Sequence, residues 1–302
     1  MAGALLPLAL AAAGLALVVP SEGVAARGDL VLALLVVLTA LGIAPRELWG
    51  LRGRWREVLV LSLAPFAVLV PSAWVISRLF ESPVREGALA LGLSSTEVAA
   101  VGLVALAGGD AALALGALAG SLVAAATVGP LVVGVLAAGA ATADSGALLG
   151  RFALVVLLPL AAGVAVRALW QRVGRGEPWF AAGSTVAVVV LIYAALSGTS
   201  GGEDIGPALV ASAAFLALSG VPALGWARMV SGQRRPAVAF AVGLRDFAVA
   251  ATLATQAFGP RAATVGGVYG VLMLIAGALA TAALRRRARH APPHRGPVGD
   301  VA

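Results

Sequence analysis

Residues 88–116 read ALALGLSSTEVAAVGLVALAGGDAALALG, and residues 239–267 read AFAVGLRDFAVAATLATQAFGPRAATVGG. Laid one over the other, Ala88 meets Ala239, Gly92-Leu93 meets Gly243-Leu244, and Val98-Ala99-Ala100 meets Val249-Ala250-Ala251. Further on, Gly108 meets Gly259, Ala111-Ala112 meets Ala262-Ala263, and Gly116 meets Gly267. Each pair is 151 positions apart in a chain of 302 residues. Alanine and glycine are abundant, so one identity carries little, but agreement of all of them at one ungapped offset points to a duplication. Duplicated halves in an apolar chain are a transporter design.

The apolar character is plain: 61% of residues are hydrophobic and 12% charged, with a mean hydropathy of +1.00. Soluble domains run near 45–50% apolar and about 25% charged. The chain therefore reads as an all-α integral membrane protein whose first partner is the lipid bilayer. Stretches of about 20 apolar residues, enough to cross roughly 30 Å of hydrocarbon, predict about ten transmembrane helices. They fall at 3–20, 28–45, 57–79, 84–107, 110–139, 145–170, 179–197, 206–228, 236–257 and 260–284. Residues 1–20 resemble a signal peptide with Val24-Ala25-Ala26 as a cleavage site, but they lack a positive n-region. Removing them would also leave the first half one helix short.

The net charge of +7 comes from arginine alone, because there is no lysine. Arg46, Arg52, Arg54 and Arg56 follow the second segment, and Arg167, Arg172 and Arg175 the sixth. Arg228, Arg234 and Arg235 follow the eighth, and Arg285, Arg286, Arg287 and Arg289 the tenth. Ten crossings place all four clusters on one side, so both termini are expected in the cytoplasm. This placement argues for a membrane surface and against nucleic acid. Five crossings per half is an odd number, which predicts a five-plus-five inverted repeat with a boundary near residue 145. The expected units are 1–144, 145–284, and a basic, disordered cytoplasmic tail at 285–302.

Charge interrupts the fourth and ninth segments. Ser94, Ser95, Thr96 and Glu97 stand in one, and Arg245 and Asp246 in the other. A charge at the bilayer centre costs about 2.5–3.5 kcal/mol, so all three require partners or water. Neighbours on a helix point about 100° apart, and Gly92 and Gly243 tolerate irregular backbone. Discontinuous helices 4 and 9 that cross are the expected result, with half-helix N-termini facing an anion and freed carbonyls facing a cation. Two carboxylates and one guanidinium sum to minus one, which a single proton or sodium ion neutralises. Glu97 or Asp246 is then the candidate for the coupling cation, and Arg245 pairs with the other carboxylate or with an anionic substrate. A structural ion network locking the halves together is the plainer alternative. Thr252 and Gln256 either line a path or glue helices together.

Leu106-Ala107-Gly108-Gly109-Asp110-Ala111-Ala112-Leu113-Ala114, Thr127-Val128-Gly129-Pro130 and Val242-Gly243-Leu244-Arg245-Asp246 resemble stretches of the bile acid:sodium symporter family. That resemblance implies ten-helix carriers with inverted repeats and crossed helices 4 and 9. Its sodium-using members carry Pro-Gly-Gly-Thr and then Ser-Asn in helix 4, where this chain has Ser95-Thr96-Glu97-Val98 and then Ala100-Val101. Their Glu-x-Gly-x-Gln-Asn in helix 9 corresponds to Ala241, Gly243, Arg245 and Asp246, and hydroxyl ligands of helix 5 fall on Ala114 and Leu118. Alanine, valine and leucine side chains offer no oxygen, so the resemblance implies a carrier whose sodium ligands are mostly missing.

The expectation is a secondary transporter of a small organic anion or amphipathic solute, coupled to H+ rather than Na+, with no other cofactor. Ser94, Ser95, Thr96, Glu97, Arg245 and Asp246 are its expected site. A non-transporting sensor or scaffold on a carrier fold is the alternative. An intramembrane aspartyl protease using Asp110 and Asp246 lacks the Gly-x-Gly-Asp signature. The only histidines, His290 and His294, stand in the tail, which leaves no serine triad, and a chain without lysine has no phosphate-binding Gly-Lys-Ser/Thr loop. No enzyme is expected.

Overall fold

The computed structural model describes residues 2–43, 45–136, 144–198 and 203–290. Among them the backbone is helical, and the sole strand-like pairing is one bridge between Thr96 and Arg245. In chain order the helices are α1 (Ala2–Val18), α2 (Gly28–Gly42), α3 (Trp55–Ser77), α4 (Val84–Leu93), α5 (Val98–Leu106) and α6 (Ala111–Leu136). They continue as α7 (Ser145–Phe152, Ala153–Leu157 and Leu158–Leu169), α8 (Glu177–Ser197), α9 (Ile205–Met229), α10 (Arg234–Gly243), α11 (Phe247–Phe258) and α12 (Ala263–His290).

Among the described residues, six stretches are long and apolar enough to cross a membrane: Leu51–Ser77, Ala111–Val135, Ser145–Leu169, Glu177–Ser197, Ile205–Met229 and Pro260–Leu284. This is a multi-pass membrane protein. The segments expected at 84–107 and 236–257 are each broken in two, with α4 and α5 on one side of the chain's midpoint and α10 and α11 on the other. The tail expected at 285–302 begins later than read, because α12 stays helical through His290; its remainder lies outside the described residues, as do 137–139 of the fifth expected segment.

Local chemistry explains the irregularities. Pro159 has no N–H and its ring crowds the carbonyl four residues back, and a wide π-type turn at Ala153–Leu157 lies just before it. Gly108 (φ 71°) and Gly259 (φ 103°) end α5 and α11 in left-handed backbone that favours glycine. These two turns are 151 positions apart, the spacing at which the sequence aligns Gly108 with Gly259.

The helices fall into two layers. Helices α1, α2, α7 and α8 pack on one another, and α3 to α6 with α9 to α12 form the larger body that contains both breaks. Small residues let these helices approach. A Cβ at Gly92 would stand 2.5 Å from the Ala73 Cβ and 3.0 Å from the Leu69 carbonyl oxygen on α3. Neither neighbour is a flexible side-chain end, so Gly92→Val must push α3 and α4 apart. We expect it to destabilise the protein by about 1–3 kcal/mol, read as a lower thermal unfolding midpoint in detergent, with Gly102→Ala, where nothing lies within 4 Å, as control.

Candidate functional site

The two breaks meet. Ser94 (φ −75°, ψ 163°) and Leu244 (φ −111°, ψ 125°) leave their helices in extended conformation, and the next residues run antiparallel. The Glu97 N–H donates to the Leu244 carbonyl at 3.2 Å, and the Asp246 N–H donates to the Ser95 carbonyl at 2.8 Å. The exchange is symmetric around the bridge of Thr96 with Arg245, so Glu97 and Asp246 hold equivalent places in the two segments, as do Thr96 and Arg245. The ungapped offset of 151 paired Ser94 with Arg245 and Ser95 with Asp246, so inside the crossing that register is corrected by two residues. The cause is length: Glu97 stands 11 positions before Gly108, whereas Asp246 stands 13 before Gly259.

All six expected residues are brought together here, and each is at most 2% exposed. Glu97 and Asp246 do the same job on opposite halves. Glu97 Oε1 accepts the Ala99 N–H at 3.2 Å, and Asp246 Oδ1 accepts the N–H groups of Ala248 and Val249 at 2.9 and 3.0 Å. Each carboxylate thus caps the half-helix that it begins. The expectation that those N-termini face a foreign anion is therefore revised, since the protein's own carboxylates occupy them.

Three of the carbonyls at the breaks are likewise engaged by hydroxyls. Leu91 accepts from Ser94 Oγ at 2.8 Å, Ala241 from Thr96 Oγ1 at 3.0 Å, and Gly243 from Ser219 Oγ at 3.0 Å. Two extended N–H groups find side chains on neighbouring helices: Thr96 donates to Ser121 Oγ and Arg245 to the Tyr269 hydroxyl, both at 3.0 Å. Sequence reasoning missed Ser121 and Tyr269. Tyr269 carried a signal, being one of only two tyrosines in the chain, fully buried and therefore in need of a partner for its hydroxyl.

Of the two partners expected for Arg245, a carboxylate or an anionic substrate, the first is not engaged. Arg245 makes no ion pair with Glu97 or Asp246, and none of its three guanidinium nitrogens has a hydrogen-bond partner among the described residues. Its Cζ lies 4.7 Å from the centre of the Phe66 ring on α3. Glu97 Oε2 also has no hydrogen-bond partner. The crossing therefore holds one buried cation, one carboxylate oxygen and the Ser95 hydroxyl with unused bonding capacity.

Two cavities border the half-helices that lead out of the crossing. One, about 490 Å³, is lined mainly by apolar residues, including Val98 and Ala99 at the start of α5 and Leu118 on α6. The other, about 790 Å³, is lined by Asp29, Arg151, Thr252 and Thr255 among others. Thr252 thus lines a cavity, while Gln256 joins the layers, its Nε2 donating to Asp29 Oδ1 at 2.9 Å. Arg151 closes on the other Asp29 oxygen at 2.8 Å. Asp29 and Arg151 were not singled out in the sequence, where charges beside loops look like solvated ends.

Asp110 lies apart from this site. The nine-residue α5, about 13 Å long, separates it from the crossing, so it forms no dyad with Asp246. Its Oδ1 accepts the Leu113 N–H at 2.9 Å and its Oδ2 the Arg54 guanidinium at 2.6 Å. Partial burial pushes its carboxyl up, but the Leu113 N–H and Arg54 outweigh that and hold it below the usual 3.8. A depressed carboxylate stabilises the fold above its unfolded value and loses that contribution as pH falls through the folded one. Asp110→Asn should therefore cost about 0.2–1 kcal/mol at pH 7, and the gap to wild type should close below pH 3.8, both read from unfolding midpoints.

Residues 4–277 match the family described as SBF-like CPA transporter family (DUF4137). The chain belongs to that family, which is related to the bile acid:sodium symporters that the sequence resembles. It is a transporter of the cation:solute type. No curated protein matches the chain.

Proposed function

We propose that this member of the SBF-like CPA transporter family is a secondary carrier that moves a small organic anion or anionic amphipath together with one proton. Helix pairs α4/α5 and α10/α11 each make one crossing in two halves, which gives ten crossings in a five-plus-five inverted repeat with both termini in the cytoplasm. Units 1–144 and 145–284 are its two halves.

The observation that carries this reading is the buried Arg245 guanidinium, without a hydrogen-bond or ion-pair partner among the described residues, set beside two capping carboxylates. Charge arithmetic then orders the states. Empty and deprotonated, the crossing carries Glu97−, Asp246− and Arg245+, a net of minus one. An anion alone makes it minus two, which the bilayer centre disfavours most. An anion on Arg245 with a proton on Glu97 Oε2 restores minus one, the same as the empty site. Empty and fully loaded forms thus move with equal net charge, and half-loaded forms differ by one unit. That is one-to-one, electroneutral coupling.

Proton rather than sodium is favoured because the Leu91, Ala241 and Gly243 carbonyls already accept hydrogen bonds from the hydroxyls around them, while Glu97 Oε2 is a single carboxylate oxygen without a partner. Sodium needs several oxygen donors at once, whereas a proton needs one oxygen.

The test is solute uptake into proteoliposomes under imposed proton or sodium gradients, across a panel of organic anions. Uptake driven by the proton gradient without net current supports the reading. Sodium-driven uptake overturns the proton assignment, and tight binding without flux would make the chain a sensor or scaffold.

A further inference from the structure

A groove of about 680 Å³ runs along the membrane face between α3 and α6. At one end stand Arg52 and Trp55, and its length is set by Leu59 and Leu63 on α3 and by Gly116 to Thr127 on α6. From Gly116 to Thr127 the helix rises about 16 Å, half of the roughly 30 Å of hydrocarbon. The groove therefore covers one leaflet and stops. It opens outward, since Leu59, Leu63, Val123 and Val128 are 40–47% exposed.

Its polar atoms are already satisfied. Ser62 Oγ donates to the Val58 carbonyl at 2.7 Å and Thr127 Oγ1 to the Val123 carbonyl at 2.8 Å. What remains is an apolar slot that offers hydrogen bonds to nothing. The charge is all at one end. Arg54 is engaged by Glu57 and Asp110, whereas Arg52 makes no ion pair among the described residues. Its guanidinium lies over the Trp49 ring, 3.2 Å from the centroid, and Trp49 and Trp55 are each 57% exposed. Tryptophan and arginine at the same depth mark the headgroup level.

We infer that this groove binds an anionic glycerophospholipid, with an acyl chain along Leu59, Gly120 and Val123 and the phosphate at Arg52. A free cation above a one-leaflet apolar slot is complementary to that molecule and to its length. A second copy of this chain fits less well, because a two-fold contact through the groove would bring two Arg52 side chains to the same end. The assignment is independent of which solute is carried.

The test is native mass spectrometry of the delipidated full chain, titrated with phosphatidylglycerol or phosphatidylcholine. Near an anionic surface one arginine is worth about fivefold in affinity, so phosphatidylglycerol should bind about fivefold tighter. Arg52→Gln should erase the preference, and Ala119→Phe, which fills the slot from α6, should weaken both lipids. Should Ala119→Phe fail to purify as a monodisperse species, Arg52→Gln decides alone. Equal binding of the two lipids to the wild type, or a preference that survives Arg52→Gln, overturns the site. A lipid-free dimer broken by Ala119→Phe overturns it too, by giving the groove to a second copy.

Discussion

Glu97→Gln is expected to reduce proton-driven uptake to the level of protein-free vesicles at every pH, while the protein keeps its fold. The two halves of that expectation come from different atoms. Glutamine retains the Oε1 that accepts the Ala99 N–H at 3.2 Å, so the cap on α5 survives and the unfolding midpoint should stay close to wild type. It loses the ability to alternate between charged and neutral. With a neutral side chain fixed at 97, an anion can still meet Arg245, but no proton comes with it and the coupling is gone. Glu97→Ala separates the two effects by removing the cap as well, at about 0.5–2 kcal/mol. Pinning the site neutral should leave solute exchange, measured with equal concentrations on both sides, less affected than uphill uptake. Proton-dependent accumulation that persists in Glu97→Gln would move the proton to Asp246 or out of the crossing altogether.

Asp246→Asn makes a useful partner to that experiment because Asp246 is more committed. Its Oδ1 already accepts two N–H groups, whereas Glu97 has one bonded oxygen and one idle one. A residue whose carboxylate holds up a helix end is a poorer proton carrier than one with an oxygen to spare. The crossing is thus symmetric in backbone and asymmetric in chemistry.

How much of this was legible depended on the range of the forces involved. Membrane residence, the apolar segments and the two interruptions follow from composition and from intramembrane charge, which are properties of short stretches. The turns at Gly108 and Gly259 were legible because positive φ selects glycine. The register within the crossing was not, because an ungapped offset cannot register that Asp246 stands 13 positions before Gly259 and Glu97 only 11 before Gly108. Capping offered a better ruler: Glu97 and Asp246 each precede an apolar helical run, and an acid at that position is an N-cap signal. Partners drawn from distant helices, Phe66, Ser121 and Tyr269, depend on packing that no local pattern encodes. The fate of Arg245 depended on it too. Formal charge suggested an ion pair, yet the side chain runs to a phenylalanine ring.

That side chain supports the second large effect: Arg245→Met is expected to abolish uptake and leave stability unchanged or raised. A buried arginine at mid-membrane costs about 2.5–3.5 kcal/mol, and its position over Phe66 returns about 2 kcal/mol when desolvated. The two roughly cancel, and a proton taken up by Glu97 keeps the crossing without its cation at minus one rather than minus two, so the loss of the charge costs the fold little. Methionine fills a similar volume and keeps a favourable contact with the ring through its sulfur, while the Arg245 N–H bond to Tyr269 belongs to the backbone and survives. Removing one member of a buried ion pair behaves in the opposite way and costs about 3–5 kcal/mol. Thermal unfolding of Arg245→Met in the same detergent, run beside uptake in liposomes, therefore discriminates between a lock and a binding group. Dead transport at an undiminished midpoint fits a cation kept for an anion that comes and goes, and Arg245→Lys, with the charge but not the planar fork, should recover part of the uptake. A midpoint that falls steeply in Arg245→Met would instead make the guanidinium a structural tie between the two halves, and the carrier would need another anion site.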